Sequence, residues 1–159
     1  MKTLVVVPNR CVGCMRCELY CSFKFYQTHN PARSRIHVIR SEPYIDTPII
    51  CWHCGLCIDS CPQDAISRNK KTGAIVIDAK KCTKCGLCIP TCPIGMIKTD
   101  PVTKVAIKCD LCGGDPECVK RCPEKALLYI DADKATYYKQ RAFAKLYENP
   151  AKDPTPAQK

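Results

Sequence analysis

Apolar and polar positions alternate along this chain in short bursts and never settle into a long run. "RIHVI" (35–39), "AIVID" (74–78) and "KVAIK" (104–108) are brief, β-branched and close to alternating, as strands with one buried face require. "KKTGA" and "TDPVTK" carry the glycine, proline and aspartate of tight turns, so the pattern predicts small hairpins. A helical period shows only near the end. In "DADKATYYKQRAFAKLYEN" (131–149), Tyr138, Ala142 and Leu146 fall four apart and share a face. Asp131 or Asp133 serves as N-cap, and Asn149-Pro150 stops the helix. The tail "AKDPTPAQK" reads as extended or disordered. The fold class expected is α+β, with short strands, short helices and a C-terminal helix.

Between these bursts one phrase occurs four times. "CVGCMRCELYCS" holds Cys11, Cys14, Cys17 and Cys21; "CWHCGLCIDSCP" holds Cys51, Cys54, Cys57 and Cys61. "CTKCGLCIPTCP" holds Cys82, Cys85, Cys88 and Cys92; "CDLCGGDPECVKRCP" holds Cys109, Cys112, Cys118 and Cys122. These account for all 16 cysteines of the 159 residues. Repetition at this scale means that one supersecondary unit recurs. Each unit reads as a cysteine loop, a short helical turn opened by proline, a hairpin, and a strand into the next loop. The first departs, because Ser22 stands where the others have proline and a longer link follows.

The spacing carries the chemistry. C-x2-C-x2-C-x3-C-P is the ferredoxin-type run that ligates a [4Fe–4S] cluster, with the offset fourth thiolate given to a neighbouring cluster. Structural zinc also takes four cysteines, but in two pairs separated by a longer spacer. Disulfides need an oxidising compartment, and "MKTLVVVPNRC" is too short in its apolar run to be a signal peptide. A thiol-exchange role for one C-x-x-C leaves the other cysteines unexplained. No stretch is long and apolar enough for a membrane helix, and the chain is expected in the cytoplasm. The formal net charge of +10 would favour an acidic partner such as nucleic acid. Four thiolate-bound clusters would bring about −8 to offset it, and the aromatic platform of a nucleic-acid binder is missing.

With these motifs the chain resembles the four-cluster electron-transfer subunits of molybdenum and tungsten oxidoreductases, the dimethyl sulfoxide reductase beta-subunit type, over Leu4 to about Asp131. The last motif, "CDLCGGDPECVKRCP", and the "CWHC" of the second carry the likeness. The regular second motif and the short chain are more similar to the small iron–sulfur subunit of tungsten aldehyde oxidoreductase, or to related subunits of carbon monoxide dehydrogenase and hydrogenase complexes. The resemblance implies tandem bacterial-ferredoxin-like modules with nested pairing. Residues 1–40 and 101–131 would form the first module, residues 41–100 the second, and residues 132–159 a C-terminal helix and flexible tail. Cluster one would take Cys11, Cys14, Cys17 and Cys122; cluster two Cys109, Cys112, Cys118 and Cys21. Cluster three would take Cys51, Cys54, Cys57 and Cys92; cluster four Cys82, Cys85, Cys88 and Cys61. Sequential pairing of the motifs stays open.

The function expected is an electron wire of four [4Fe–4S] clusters. It would run between a catalytic oxidoreductase subunit and another redox partner, such as a flavin or other electron-exchanging subunit, with no nucleic acid and no membrane insertion. A free-standing polyferredoxin is the alternative. No nucleophile–base pair, G-x-G-x-x-G or P-loop occurs, so no catalytic residue is assigned. The loop residues Val12, Met15, Leu56, Ile58, Leu87, Ile89 and Val119 are expected to keep water from the clusters. His53 is expected at the surface, with cluster tuning as the rarer outcome. Trp52 is left between shield and interface, and the C-terminal helix between docking on a partner and covering its own domain.

Overall fold

The computed structural model describes residues 1–41 and 45–147. Eight strands pair only two by two, each pair antiparallel. β2 (His37–Ser41) joins β3 (Ile45–Ile49), β4 (Ile66–Arg68) joins β5 (Ile75–Ile77), and β6 (Lys98–Thr99) joins β7 (Ala106–Ile107). These are local hairpins. The fourth pair is not local: β1 (Lys2–Val6) lies against β8 (Leu127–Asp131) with Lys2 opposite Asp131 and Val6 opposite Leu127. The two ends of the repeat array therefore meet, and Val7 N–H donates to the Ala126 carbonyl just beyond the pair.

Two apolar centres lie under these ribbons. One gathers Leu4, Ile36, Val38, Ile50, Leu111 and Leu127 with Cys17, Cys21 and Cys118. The other gathers Ile66, Ile75, Ile97 and Ala106 with Cys57 and Cys88. Cysteines are thus core residues as well as loop residues. α4 (Ala132–Tyr147) follows β8 directly; Ala132 N–H donates to the Met1 carbonyl, and Ala135 is buried. The side chains of Ala142 and Leu146, the Asn149-Pro150 stop and the tail lie outside the described residues.

The helical turns stand before the fourth cysteine of their motifs, and not after it as the sequence pattern led us to expect. α2 (Leu56–Asp59) and α3 (Glu117–Lys120) end just short of Cys61-Pro62 and Cys122-Pro123. A residue that precedes proline is pushed out of the helical region. After each proline comes a single turn, closed by Asp64 N–H to Cys61 O, Gly95 N–H to Cys92 O and Lys125 N–H to Cys122 O. Asp64, Gly95 and Lys125 are left-handed, with φ of 46°, 64° and 50°, so no helix propagates.

The first motif tests this reasoning. With Ser22 in place of proline, α1 (Arg16–Tyr26) runs through Cys21 for 11 residues. Ser22 is fully buried; its hydroxyl donates to Leu19 O and accepts from Asn30 N–H. Ser22→Pro should break α1 at its middle and cost about 3 kcal/mol. Guanidinium denaturation of the holoprotein followed by cluster absorbance checks this; an unchanged midpoint would refute it.

Candidate iron–sulfur centre

Each C-x-x-C loop is built from the same backbone figure. The residue before the second cysteine is left-handed in all four motifs: Gly13 (φ 64°), His53 (53°), Lys84 (65°) and Leu111 (58°). So is the residue after it: Met15 (54°), Gly55 (103°), Gly86 (81°) and Gly113 (71°). Successive turns of this hand wrap the chain around a hollow and bring N–H groups to its inner side. Glycine is sterically required at position 13, since a Cβ there would fall 2.3 Å from Asp46 Oδ2. His53, Lys84 and Leu111 hold the same conformation at about 1–2 kcal/mol each.

Four hollows result. The first is walled by Cys11, Cys14, Cys17 and Cys122. The second is walled by Cys21, Cys109, Cys112 and Cys118. Cys51, Cys54, Cys57 and Cys92 border the third, and Cys61, Cys82, Cys85 and Cys88 the fourth. Each hollow takes three cysteines from one motif and one from another. Motif one stands with motif four, and motif two with motif three. All 16 cysteines are free of disulfides. Among the described residues, no three His, Cys, Asp or Glu side chains are drawn together tightly enough to hold a single metal ion. The thiols stand around a volume.

The sulfurs have donors ready. The thiol that opens a motif accepts from the residue two ahead: His53 N–H to Cys51 Sγ at 3.4 Å, and Leu111 N–H to Cys109 Sγ at 3.5 Å. The offset thiol before proline accepts from four ahead: Met96 N–H to Cys92 Sγ and Ala126 N–H to Cys122 Sγ, both 3.2 Å. Cys21 lacks that turn and takes Arg35 N–H at 3.3 Å instead. Burial pushes the Cys17 and Cys109 thiols up to about 12 and Cys118 well above the usual thiol range. Such thiols ionise only beside compensating positive charge, which bound iron supplies. Donor type, splay and hydrogen bonding therefore fit an iron–sulfur cluster in every hollow.

Thiols of different hollows act on one another. After burial and nearer thiols, Cys118 of the second hollow is raised further by Cys17 of the first. Cys109 of the second is raised by Cys51 of the third, and Cys88 of the fourth by Cys57 of the third.

Two expectations about the sheath need correction. Val12, Leu56 and Leu87 are 60%, 52% and 54% exposed, and Met15 is also exposed. Val12 and Met15 nonetheless line the first hollow and Leu56 the third, as expected, whereas Leu87 is not part of the wall of the fourth. Ile58, Ile89 and Val119 are partly buried against the cores, as expected. The remaining cover comes from strand residues such as Ile75, Ile97 and Leu127, which loop spacing does not reveal. His53 is the second correction. Its ring lies inside, where Nδ1 accepts from Ile75 N–H at 3.0 Å and Nε2 is buried without a protein partner. Burial, with the charges of Lys108 and Arg68, holds its pKa down to about 4, so the ring is neutral with its proton on Nε2. Trp52 is 67% exposed.

Known proteins with 4Fe-4S dicluster domains resemble this chain. Two models described as "4Fe-4S dicluster domain" match residues 50–96 and 10–66. The chain is 38% identical to the "Aliphatic sulfonate oxidoreductase, polyferredoxin-like subunit" of Pyrococcus furiosus, over 89% of this chain and 84% of that protein. It is 33% identical to the "Putative electron transport protein YsaA" of Escherichia coli, over 87% of this chain and 95% of that protein. Among solved structures it is similar to a chain of the active site complex BamBC of benzoyl coenzyme A reductase. There the identity is 26%, 91% of this chain and 90% of that chain are covered, and the TM-score is 0.48.

Proposed function

Since the chain belongs to the family of polyferredoxin-like iron–sulfur electron-transfer subunits with 4Fe-4S dicluster domains, we propose that it is a non-catalytic relay. It carries four [4Fe–4S] clusters in nested pairs, between a catalytic oxidoreductase subunit and a second redox partner. The observation that carries the reading is the grouping of 16 cysteines into four hollows of four, each drawing on two motifs. A [4Fe–4S] cluster, when bound, exchanges one electron with little movement of its atoms.

The chain's own residues do the rest. Cysteines from two motifs grip each hollow, so neither motif can drift without its partner. The N–H groups of His53, Met96, Leu111 and Ala126 donate to ligand sulfur, which favours the reduced state. Ile75, Ile97 and Leu127 keep water from the inner walls, with Val12 and Met15 on the first hollow and Leu56 on the third. Among the described residues no helix is long and apolar enough to cross a membrane. In a reducing compartment 16 thiols stay available as ligands rather than pairing, so we place the relay in the cytoplasm. The resemblance to the small subunit of tungsten aldehyde oxidoreductase supports a tungsten or molybdenum enzyme as catalytic partner.

The test is native purification under argon with metal analysis. About 16 irons and 16 sulfides per chain are expected, with a broad absorbance that bleaches on reduction and a large oxidoreductase subunit in fixed ratio. Zinc in place of iron would sink the cluster assignment. A fully loaded chain without a partner would favour a free-standing polyferredoxin.

A further inference from the structure

Lys108 is an anomaly on charge alone. Its side chain is buried, with the residue 3% exposed. Among the described residues no carboxylate pairs with it. A buried ammonium without a counter-charge is costly and is seldom kept. Its Nζ donates to two carbonyls, that of Ile75 and, at 2.8 Å, that of Cys109. An ammonium has three donors, so one remains. Lys108 lines the third hollow, beside Cys51, Cys54, Cys57 and Cys92. Through Cys109 it is also joined to the second hollow. The groups that face its charge are therefore the thiols of the third hollow and, through the Cys109 carbonyl, the lining of the second.

The same wall holds a second unspent donor. Ile75 N–H is taken by His53 Nδ1 and Ile75 O by Lys108 Nζ. One strand residue thus fixes both side chains. His53 Nε2–H is left buried, without a protein acceptor, on the third hollow. The residue preceding the first cysteine in the other motifs is Arg10, Ile50 or Lys81; Arg10 and Lys81 are exposed and Ile50 is uncharged.

We propose that Lys108 is a fixed cation shared by the second and third hollows. It favours an added electron there over the two outer hollows, with His53 Nε2–H as a companion donor to the third. The inference rests on the cluster-bearing reading above. Each reduction takes one electron from an external one-electron reductant, dithionite in the assay. No bond forms or breaks. The inner pair then forms the low point of the relay, where an electron waits for either end.

The experiment is a potentiometric titration of the holoprotein monitored by electron paramagnetic resonance, in wild type, Lys108→Met and Lys108→Arg. Iron content, measured first, reports on the cluster reading independently. With loading intact, Lys108→Met should shift the reduction equilibrium of at least one inner cluster tenfold or more toward the oxidised state. That is about 59 mV for one electron. Lys108→Arg, which keeps the charge, should stay within threefold of wild type. Unchanged potentials in a fully loaded Lys108→Met protein would overturn the proposal. Should that variant fail to load, the wild type decides. Poised at two electrons per chain, it should show spin-coupled signals from adjacent reduced clusters; two uncoupled signals would place the electrons in the outer hollows and overturn it.

Discussion

Stripping the iron should unfold this chain. After ferricyanide and EDTA treatment, with thiols then reduced by dithiothreitol, near-ultraviolet circular dichroism and protection from protease should collapse. The reason lies in how little core remains. Three of the ten buried residues of the larger apolar centre are cysteines, as are two of the six in the smaller. Every sheet has only two strands, and isolated two-stranded ribbons are marginal in water. Without iron the four hollows must collapse or flood. The repeated left-handed residues at 53, 84 and 111 then impose strain that no ligand bond offsets. In zinc fingers, metal ligation supplies about 10–16 kcal/mol of folding free energy. A domain's whole stability is about 5–15 kcal/mol, so losing a term of that order leaves nothing to hold the fold. A single cooperative melting transition in the iron-free chain would show that the apolar centres suffice, and would refute this.

Asp100→Ala should be the most damaging single change away from the cysteines. Asp100 is fully buried at the end of β6. Its two oxygens accept from Arg33 Nε and Nη2, both at 2.7 Å. Oδ2 also accepts from Thr103 N–H and Oγ1. Arg33 lies over the Tyr26 ring, 3.5 Å from its centroid. The pair thus ties the β6–β7 hairpin to the turn after α1, across 67 residues of sequence. Removing one partner of a buried pair costs about 3–5 kcal/mol, because the other charge is left half-buried and alone. The Arg33 guanidinium holds the Asp100 carboxyl well below the usual carboxylate range. A depressed carboxyl contributes its stability above the unfolded pKa of about 4 and loses it only as pH falls through the lower folded value. The deficit of Asp100→Ala should therefore be the same at pH 5 and pH 8, measured from the midpoint of cluster loss in guanidinium. A deficit that vanishes at pH 5 would show that the loss does not come from the Asp100–Arg33 pair.

The proline rule shows where reading the sequence succeeded and where it slipped. Proline after the fourth cysteine was legible as punctuation, and Ser22 as the exception, but the helical turn was assigned to the wrong side. The sequence marks a boundary through proline's effect on its predecessor; it does not say which flank carries the hydrogen bonds. The strands in "RIHVI", "AIVID" and "KVAIK" were legible because β-branching and turn residues act locally. The place of Leu87 outside its hollow's wall was not, since a loop position has no fixed face until left-handed backbone is placed. His53 looked like a surface residue for the same reason. Only the approach of Ile75, 22 residues on, gives its ring an interior.

What the sequence alone determined is the inventory and its local geometry: 16 thiols in four equal phrases, loops that must curl, and hairpins between them. Dihedral preferences and ligand spacing are properties of a few adjacent residues, so a linear text contains them. Only the tertiary structure decided that β1 lies on β8 and so brings Cys122 beside Cys11, Cys14 and Cys17. It alone put Lys108 in the wall between two hollows and buried Asp100 against Arg33. Burial and charge pairing depend on which distant segments meet, and that is fixed by the summed fit of all the ribbons, not by any one of them.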